Sequence, residues 1–160
     1  MRIRKTARAV LFDPDNRVLL FEFVVPKGYI GERAMHFWAT PGGEIEPSED
    51  VRVALERELR EETGFEGCQI GPELWFGSNE LKIQGHPVQT FERFFFVRSP
   101  ACEIQTSNWT EIERQIMRNF RWWIVQDLCT AQVTIFPPRL GPLIEKYLQC
   151  GSAGPEEISL

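Results

Sequence analysis

The sequence predicts a single α/β domain in which helices pack on a mixed β-sheet. Its 160 residues suit one domain of ordinary size, and 42% apolar with 26% charged residues is the balance of a globular protein. Apolar runs of strand length occur on both sides of one long, charged, helix-forming stretch. No repeat or long linker divides the chain. We therefore predict one domain over residues 1–150 and a mobile polar tail over residues 151–160.

The strands are predicted from short apolar runs bounded by turn-forming residues. The run at 17–25 is almost wholly apolar, which places it centrally in the sheet. It follows an Asp-Pro-Asp-Asn turn whose side chains bond their own backbone. Three consecutive phenylalanines from Phe94 make the run at 90–98 a core strand. The six predicted strands cover residues 5–12, 17–25, 36–40, 69–77, 90–98 and 120–125.

The longest helix is predicted between Ser48 and Gly64. Ser48 is a good N-cap, and Glu49 and Asp50 suit the positive end of the helix dipole. Gly64 is placed as the C-terminal glycine. The other helical segments are a short helix or ordered loop at 109–119, a helical turn from 126 to 128, and a last helix opened by two prolines that runs through Gln149.

Composition excludes several classes of protein. A net charge of −5 argues against a basic nucleic-acid groove, and no apolar run approaches the 18 residues of a membrane span. The basic N-terminus is followed by no apolar signal region, so we expect a cytoplasmic protein. The four cysteines lie far apart, which predicts free thiols in a reducing compartment and argues against a zinc site.

Three glutamates in the long helix share one side with its apolar stripe. Glu58, Glu61 and Glu62 stand at i, i+3 and i+4, and Ala54 and Leu55 fall in the same angular sector. Like charges at this spacing repel one another. A hard divalent cation with oxygen ligands would relieve the repulsion, and Mg²⁺ is the usual choice beside phosphate. A solvated charge-rich helix is the alternative on this segment alone.

The flanking residues favour the metal interpretation. The chain carries Gly43-x5-Glu49-x7-Arg57-Glu58-Leu59-x-Glu61-Glu62-x-Gly64-Phe65. This pattern resembles the signature of the Nudix hydrolases at every specified position. The resemblance implies a Nudix fold, an α/β/α sandwich around a mixed sheet with the signature as loop-helix-loop. It also implies a MutT-like, divalent-metal-dependent pyrophosphohydrolase, in which water attacks a phosphorus of a nucleoside diphosphate linked to another group.

The resemblance also implies roles for the site residues. Glu58, Glu61 and Glu62 form the expected shell for Mg²⁺, or Mn²⁺ in its place, completed by the carbonyl of Gly42 or Gly43. Glu58 is the predicted general base.

Arg57 is expected to orient the glutamates, with Glu49 as its partner. The alternative for Arg57 and Glu49 is a surface pair worth under ~1 kcal/mol.

A further carboxylate from a later part of the chain is expected in many members of the family. Glu113 is our choice because it precedes an apolar strand and is anchored near the sheet. The other candidates are Glu92, Glu103 and Glu111.

Several alternatives stay open at this point. A catalytically inactive nucleotide-binding sensor would show eroded glutamates, and none is eroded here. An isopentenyl-diphosphate isomerase would need a cysteine near the signature, and an RNA decapping enzyme would favour a basic surface. The expected partner is a small nucleotide derivative, with a nucleoside triphosphate or nucleotide sugar as the default substrate. No membrane is expected, and a homodimer is compatible with the resemblance.

Overall fold

Nine strands join in one mixed sheet in the computed structural model, which describes residues 1–160. Four helices accompany the sheet. The strands are β1 (Arg2–Phe12), β2 (Val18–Val25), β3 (Met35–Ala39), β4 (Gly42–Glu44), β5 (Gln69–Ile83), β6 (His86–Arg98), β7 (Met117–Trp123), β8 (Ile135–Phe136) and β9 (Glu156–Glu157). The helices are α1 (Val51–Thr63), α2 (Glu111–Ile116), α3 (Val125–Thr130) and α4 (Leu140–Cys150).

The sheet has two halves that meet at the turn between β1 and β2. Its order is β8-β3-β2-β1-β6-β5-β9, with β4 on β1 and β7 on β2. β1 pairs with β6 in parallel along its whole length, but it pairs with β2 only at Phe12–Val18. Past that point the two strands diverge. β1 then takes β4 as its second neighbour, which places Gly42 and Gly43 directly beside β1.

The core lies on both faces of the sheet because residues of β1 alternate between them. Ala7, Ala9 and Leu11 pack with Leu55 and Leu59 of α1. Val10 and Phe12 point to the other face, where the core includes residues of α3 and α4. Helices therefore cover both faces, and the predicted α/β/α sandwich around a mixed sheet is confirmed.

The N-terminus of α1 differs from the prediction. Ser48 is not the N-cap: it has a φ of 64°, and the helix starts at Val51. Asp50 is the cap, and its side chain accepts from Arg52 N at 2.9 Å and Val53 N at 3.4 Å. Glu49 folds back to accept the N–H of Glu46, so residues 46–49 form a turn before the helix. Gly64 ends the helix as predicted, with a φ of 77°.

The strands after α1 are longer than their apolar runs predicted. β5 and β6 form a hairpin whose turn contains Gln84 and Gly85, both with positive φ. The predicted strands at 69–77 and 90–98 are the parts of this hairpin that lie farthest from its turn. β7 occupies residues 117–123 in place of 120–125. The short strands β4, β8 and β9 were not predicted.

The C-terminal ten residues contact the domain. Glu156 and Glu157 pair in parallel with Trp75 and Phe76 of β5, where a mobile tail was expected. Ile158 and Leu160 carry the apolar side chains of this segment and pack against the core. The domain boundary at residue 150 stays a prediction. No helix is long and apolar enough to cross a membrane, and the four cysteines are free thiols.

Candidate active site

Helix α1 and strand β4 bring the signature glutamates against Gly42 and Gly43. Leu55 and Leu59 are fully buried and fix the helix on the sheet. Glu62 lies one turn beyond Leu59 on the same side, and only 3% of it is exposed. The backbone N–H of Gly42 donates to Glu62 Oε1 at 2.9 Å. The helix thus presents a buried carboxylate directly to the start of β4.

Glu58 packs against Gly43, and its side chain is 14% exposed. A Cβ atom at Gly43 would overlap the Glu58 carboxylate. Gly42 is restricted in another way, since its φ is 137° and a Cβ there would overlap the backbone of β1. Gly43 is therefore needed for the helix and β4 to approach this closely, and Gly42 for β4 to lie this close to β1.

Arg57 ties the turn before the helix to the glutamates. Its Nε and Nη2 donate to the two carboxylate oxygens of Glu49 at 2.9 and 3.0 Å. Nη2 also donates to the carbonyl of Glu44 at 3.0 Å, and Nη1 donates to Glu58 Oε1 at 2.9 Å. Charge-assisted hydrogen bonds in a fork of this kind fix orientation as well as adding energy. The arrangement suits the orienting role predicted for Arg57.

Burial destabilises the ionised forms of the two inner glutamates, Glu58 and Glu62. Burial raises the pKa of Glu58; the Arg57 guanidinium opposes this rise, and the charges of Glu61 and Glu113 add to it. Burial raises the pKa of Glu62 well above its usual range, and the charge of Glu58 raises it further. The Gly42 N–H opposes the second shift. In contrast, the hydrogen bonds that Glu49 accepts from Arg57 lower the pKa of Glu49 to about 2.

The pairing of β4 distinguishes between the two candidate carbonyl ligands. Hydrogen bonds join Ala9 to Pro41 and Lys5 to Ile45, and Ala7 faces Gly43 between them. In this alternation Gly43 directs its backbone groups at β1, whereas those of Gly42 point away. The contact from Gly42 N to Glu62 agrees with this direction. The Gly42 carbonyl is therefore the one free to serve as a ligand.

The three predicted metal ligands are brought near one another, but they do not form a ready-made cluster. No three His, Cys, Asp or Glu side chains are placed to hold a metal ion together. Glu58 is engaged by Arg57 and Glu62 by Gly42, while Glu61 is 43% exposed with its Oε2 3.6 Å from Arg57 Nη1. The hard carboxylate oxygens of these glutamates and the like charge on Glu58 and Glu62 fit a divalent cation. These side chains would have to reorient to bind the cation together.

Glu113 lies within electrostatic reach of the same cluster, because its charge acts on both Glu58 and Glu62. It is the third residue of α2. Its carboxylate accepts the Thr110 N–H at 2.9 Å in a capping box. Trp109 anchors this segment by donating from Nε1 to the Glu62 carbonyl at 2.7 Å. The other candidates, Glu103 and Glu111, are not among the main charges that raise the pKa of Glu58 or Glu62.

Sequence reasoning missed one buried ion pair at the edge of the site. Arg8 of β1 donates from Nε to Glu92 Oε2 at 3.0 Å, and Thr6 donates to the same oxygen. Glu92 is therefore a paired strand residue and not a loop carboxylate. Burial lowers the pKa of Arg8, but the charges of Glu92, Glu62 and Glu58 raise it overall. The available signal was one cation between Ala7 and Ala9 in an apolar strand.

Comparisons with known proteins agree with this geometry. The sequence matches the NUDIX domain over residues 2–147. No curated protein matches it significantly by sequence.

Many solved structures share the fold. One is the solution structure of the E. coli ORF135 protein, with 22% identity, a TM-score of 0.57, and coverage of 93% of this chain and 91% of that one. A C. elegans Ap4A hydrolase has 20% identity, a TM-score of 0.57, and coverage of 91% and 96%. An ADP-ribose pyrophosphatase from Streptococcus suis has 14% identity, a TM-score of 0.61, and coverage of 97% and 98%.

At these identities the solved structures show the fold alone. The match to the domain spans nearly the whole chain and includes every signature residue described above. The chain therefore belongs to the Nudix family.

Proposed function

We propose that this protein is a Mg²⁺-dependent pyrophosphohydrolase acting on a nucleoside diphosphate linked to another group. The observation that carries the proposal is a pair of like-charged carboxylates, the buried Glu62 and the half-buried Glu58, held against Gly42 and Gly43. Two such charges are costly to keep beside each other in a fold that has no catalytic use for them.

The ligands for the cation are the carboxylates of Glu58, Glu61 and Glu62 and the carbonyl of Gly42. Mn²⁺ is the expected substitute, since it accepts the same oxygen ligands. When bound, a divalent cation offsets phosphate charge and lowers the pKa of a coordinated water. Polyphosphate binding by an acidic chain needs such a cation, because the protein has a net charge of −5.

Glu58 is the proposed general base for the attacking water. Its Oε1 accepts from Arg57, which leaves Oε2 free of protein hydrogen bonds. Burial raises the pKa of Glu58, and a pKa closer to the working pH favours proton acceptance in the transition state. Arg57 acts as a positioning residue that fixes the carboxylate against Gly43. Glu113 acts from the opposite element as a second carboxylate that orients the water.

The substrate is proposed as a small nucleotide derivative. A C. elegans neighbour is an Ap4A hydrolase and a Streptococcus suis neighbour is an ADP-ribose pyrophosphatase. Both names describe a nucleoside joined through phosphoanhydride bonds to another group. Nucleoside triphosphates and nucleotide sugars share that linkage and remain our first choice for this chain.

A substrate panel tests the proposal. Nucleoside triphosphates, nucleotide sugars, ADP-ribose and dinucleoside polyphosphates are incubated with the protein and Mg²⁺, and phosphate and pyrophosphate release are followed. At least one class should be hydrolysed, and excess chelator should abolish the activity. Absence of turnover across the panel, with tight nucleotide binding, would instead support an inactive nucleotide sensor.

A further inference from the structure

A half-buried cation, Arg8, lies on β1 within electrostatic reach of Glu58 and Glu62 and is not used in the proposed chemistry. The Arg8 side chain is 14% exposed. Its Nε donates to Glu92 Oε2 at 3.0 Å, and Nη1 donates to the Thr40 carbonyl at 3.4 Å. Glu92 is itself held by the Thr6 hydroxyl. These contacts fix the guanidinium in position from two sides.

The position of Arg8 connects it with the site. Arg8 faces Gly42 across the β1–β4 pairing, and Gly42 is the residue whose N–H holds Glu62. Neighbouring residues of β1 point to opposite faces, so Arg8 shares its face with Val10 and Phe12. That face is opposite to α1. The charges of Glu62 and Glu58 nevertheless act on the Arg8 guanidinium, so Arg8 lies within electrostatic reach of the carboxylates, whereas Arg57 bonds to Glu58 directly.

Two polar groups at this point have no partner in the protein. Arg8 Nη2 donates to no protein acceptor, although Nε and Nη1 each have one. The Thr40 hydroxyl is also without a hydrogen bond, and only 1% of Thr40 is exposed. A buried hydroxyl without a partner is destabilising, and such groups in native proteins call for an explanation. Thr40 is also the residue whose carbonyl receives Arg8.

We propose that Arg8 Nη2 and the Thr40 hydroxyl bind a phosphate group of the substrate on the sheet side of Glu62. The inference rests on the proposed function and extends it to the phosphate that neighbours the attacked one. A planar guanidinium suits phosphate because its N–H groups match the phosphate oxygens. Glu92 and the Thr40 carbonyl hold the guanidinium, so little ordering is needed when the ligand arrives.

If the Arg8–Glu92 ion pair had only a structural role, substitutions in it would lower the stability of the fold but would not change the binding of an anion. The Thr40 hydroxyl separates the two cases, because it makes no hydrogen bond that the fold could lose. Thr40→Val keeps the shape and should not lower the melting temperature, while a phosphate ligand would lose a donor.

Calorimetric titration with inorganic pyrophosphate in excess Mg²⁺ tests the subsite without knowledge of the nucleoside. Arg8→Lys keeps the charge beside Glu92 and removes the fork, so the Kd should rise by about 10- to 100-fold. Thr40→Val should raise the Kd by about 3- to 10-fold. Thr90→Val is the matched control: Thr90 is equally buried, but its hydroxyl already donates to the Asn79 carbonyl at 3.1 Å.

Thr90→Val should lose stability and bind pyrophosphate like the wild type, the reverse of Thr40→Val. The subsite is overturned if folded Arg8→Lys and Thr40→Val both keep the wild-type Kd, or if the wild type binds no pyrophosphate at millimolar concentration. Either result, together with nucleotide hydrolysis that the Glu62→Gln change abolishes, would leave the proposed function standing and remove only the subsite. Should Arg8→Lys fail to fold, Thr40→Val alone decides.

Discussion

At the scale of single residues, Arg57 holds several parts of the site together. It joins Glu49, the Glu44 carbonyl and Glu58 through one guanidinium. The contacts link the turn before α1 to the carboxylate proposed as the base. A single change at Arg57 should therefore alter the position of Glu58 without removing any ligand of the cation.

Arg57→Lys should lower kcat by about 10- to 100-fold and leave KM nearly unchanged, because a lysine cannot make the paired bonds that hold Glu58. Steady-state kinetics at saturating Mg²⁺ give both constants. Arg60→Lys on an exposed part of the same helix is the control and should behave like the wild type. Equal kcat values for the two variants would contradict the positioning role.

Glu62→Gln should stabilise the metal-free protein at neutral pH while abolishing turnover. Burial raises the pKa of Glu62 in the folded state, so ionisation costs more there than in the unfolded chain. Wild-type stability should thus decrease as pH rises above about 4.3, the unfolded value. A glutamine can still accept the Gly42 N–H.

The comparison uses the free energy of unfolding in chelator. The two proteins should match near pH 4, and the advantage of Glu62→Gln should grow toward pH 8. A difference that stayed constant over this range would show that ionisation of Glu62 is not its source.

At the scale of elements, α2 has two roles that one substitution can separate. Glu113 forms part of the capping box of this short helix, and its charge also raises the pKa of Glu58 and Glu62. Glutamine preserves a capping box, since it accepts the same backbone N–H as glutamate. The fold of α2 should therefore survive the loss of the charge.

Glu113→Gln should lower kcat by about 10²- to 10⁴-fold with little change in KM if the carboxylate orients the attacking water. The matched controls are Glu111→Gln in the same helix and Glu103→Gln in the preceding loop. Both should run at the wild-type rate. If Glu113→Gln does as well, α2 contributes only structure, and the signature site is unaffected.

The elements also show where sequence patterns stop being informative. The signature helix and its C-terminal glycine follow from local spacing, whereas the Arg57–Glu49 pairing is implied by the family resemblance; the structure contains all three. The N-cap is Asp50 and not Ser48, because residues 46–49 form a turn of their own before the helix. β4 is only three residues long, and its glycines carry no strand signal.

At the scale of the whole molecule, long-range pairing brings together residues that no local pattern connects. Arg8 and Glu92 meet because β1 and β6 run in parallel, although they lie 84 positions apart in the chain. The sequence predicts a mobile polar tail over residues 151–160, yet Ile158 donates its N–H to the Phe76 carbonyl and joins the sheet edge. Such contacts depend on the assembled sheet, and single-sequence periodicity does not contain them.

Divalent metal should stabilise the whole fold by mass action, because the proposed ligands come together only in the folded chain. The melting temperature should rise as Mg²⁺ or Mn²⁺ is added and should be restored by chelator. In Glu58→Gln/Glu62→Gln the rise should vanish. An equal rise in that double variant would place the metal elsewhere on the protein.

The central claim is that the carboxylates beside Gly42 and Gly43 make this chain a metal-dependent hydrolase. The most direct test is the Mg²⁺-dependent rate of Glu58→Gln/Glu62→Gln, measured beside Glu56→Gln on the best substrate of the panel. Glu56 is exposed on the same helix and outside the cluster. We predict a wild-type rate for Glu56→Gln and at least about a 100-fold loss for the double variant, or ~2.7 kcal/mol in the barrier. A folded double variant that keeps more than about a tenth of the wild-type rate would contradict the claim.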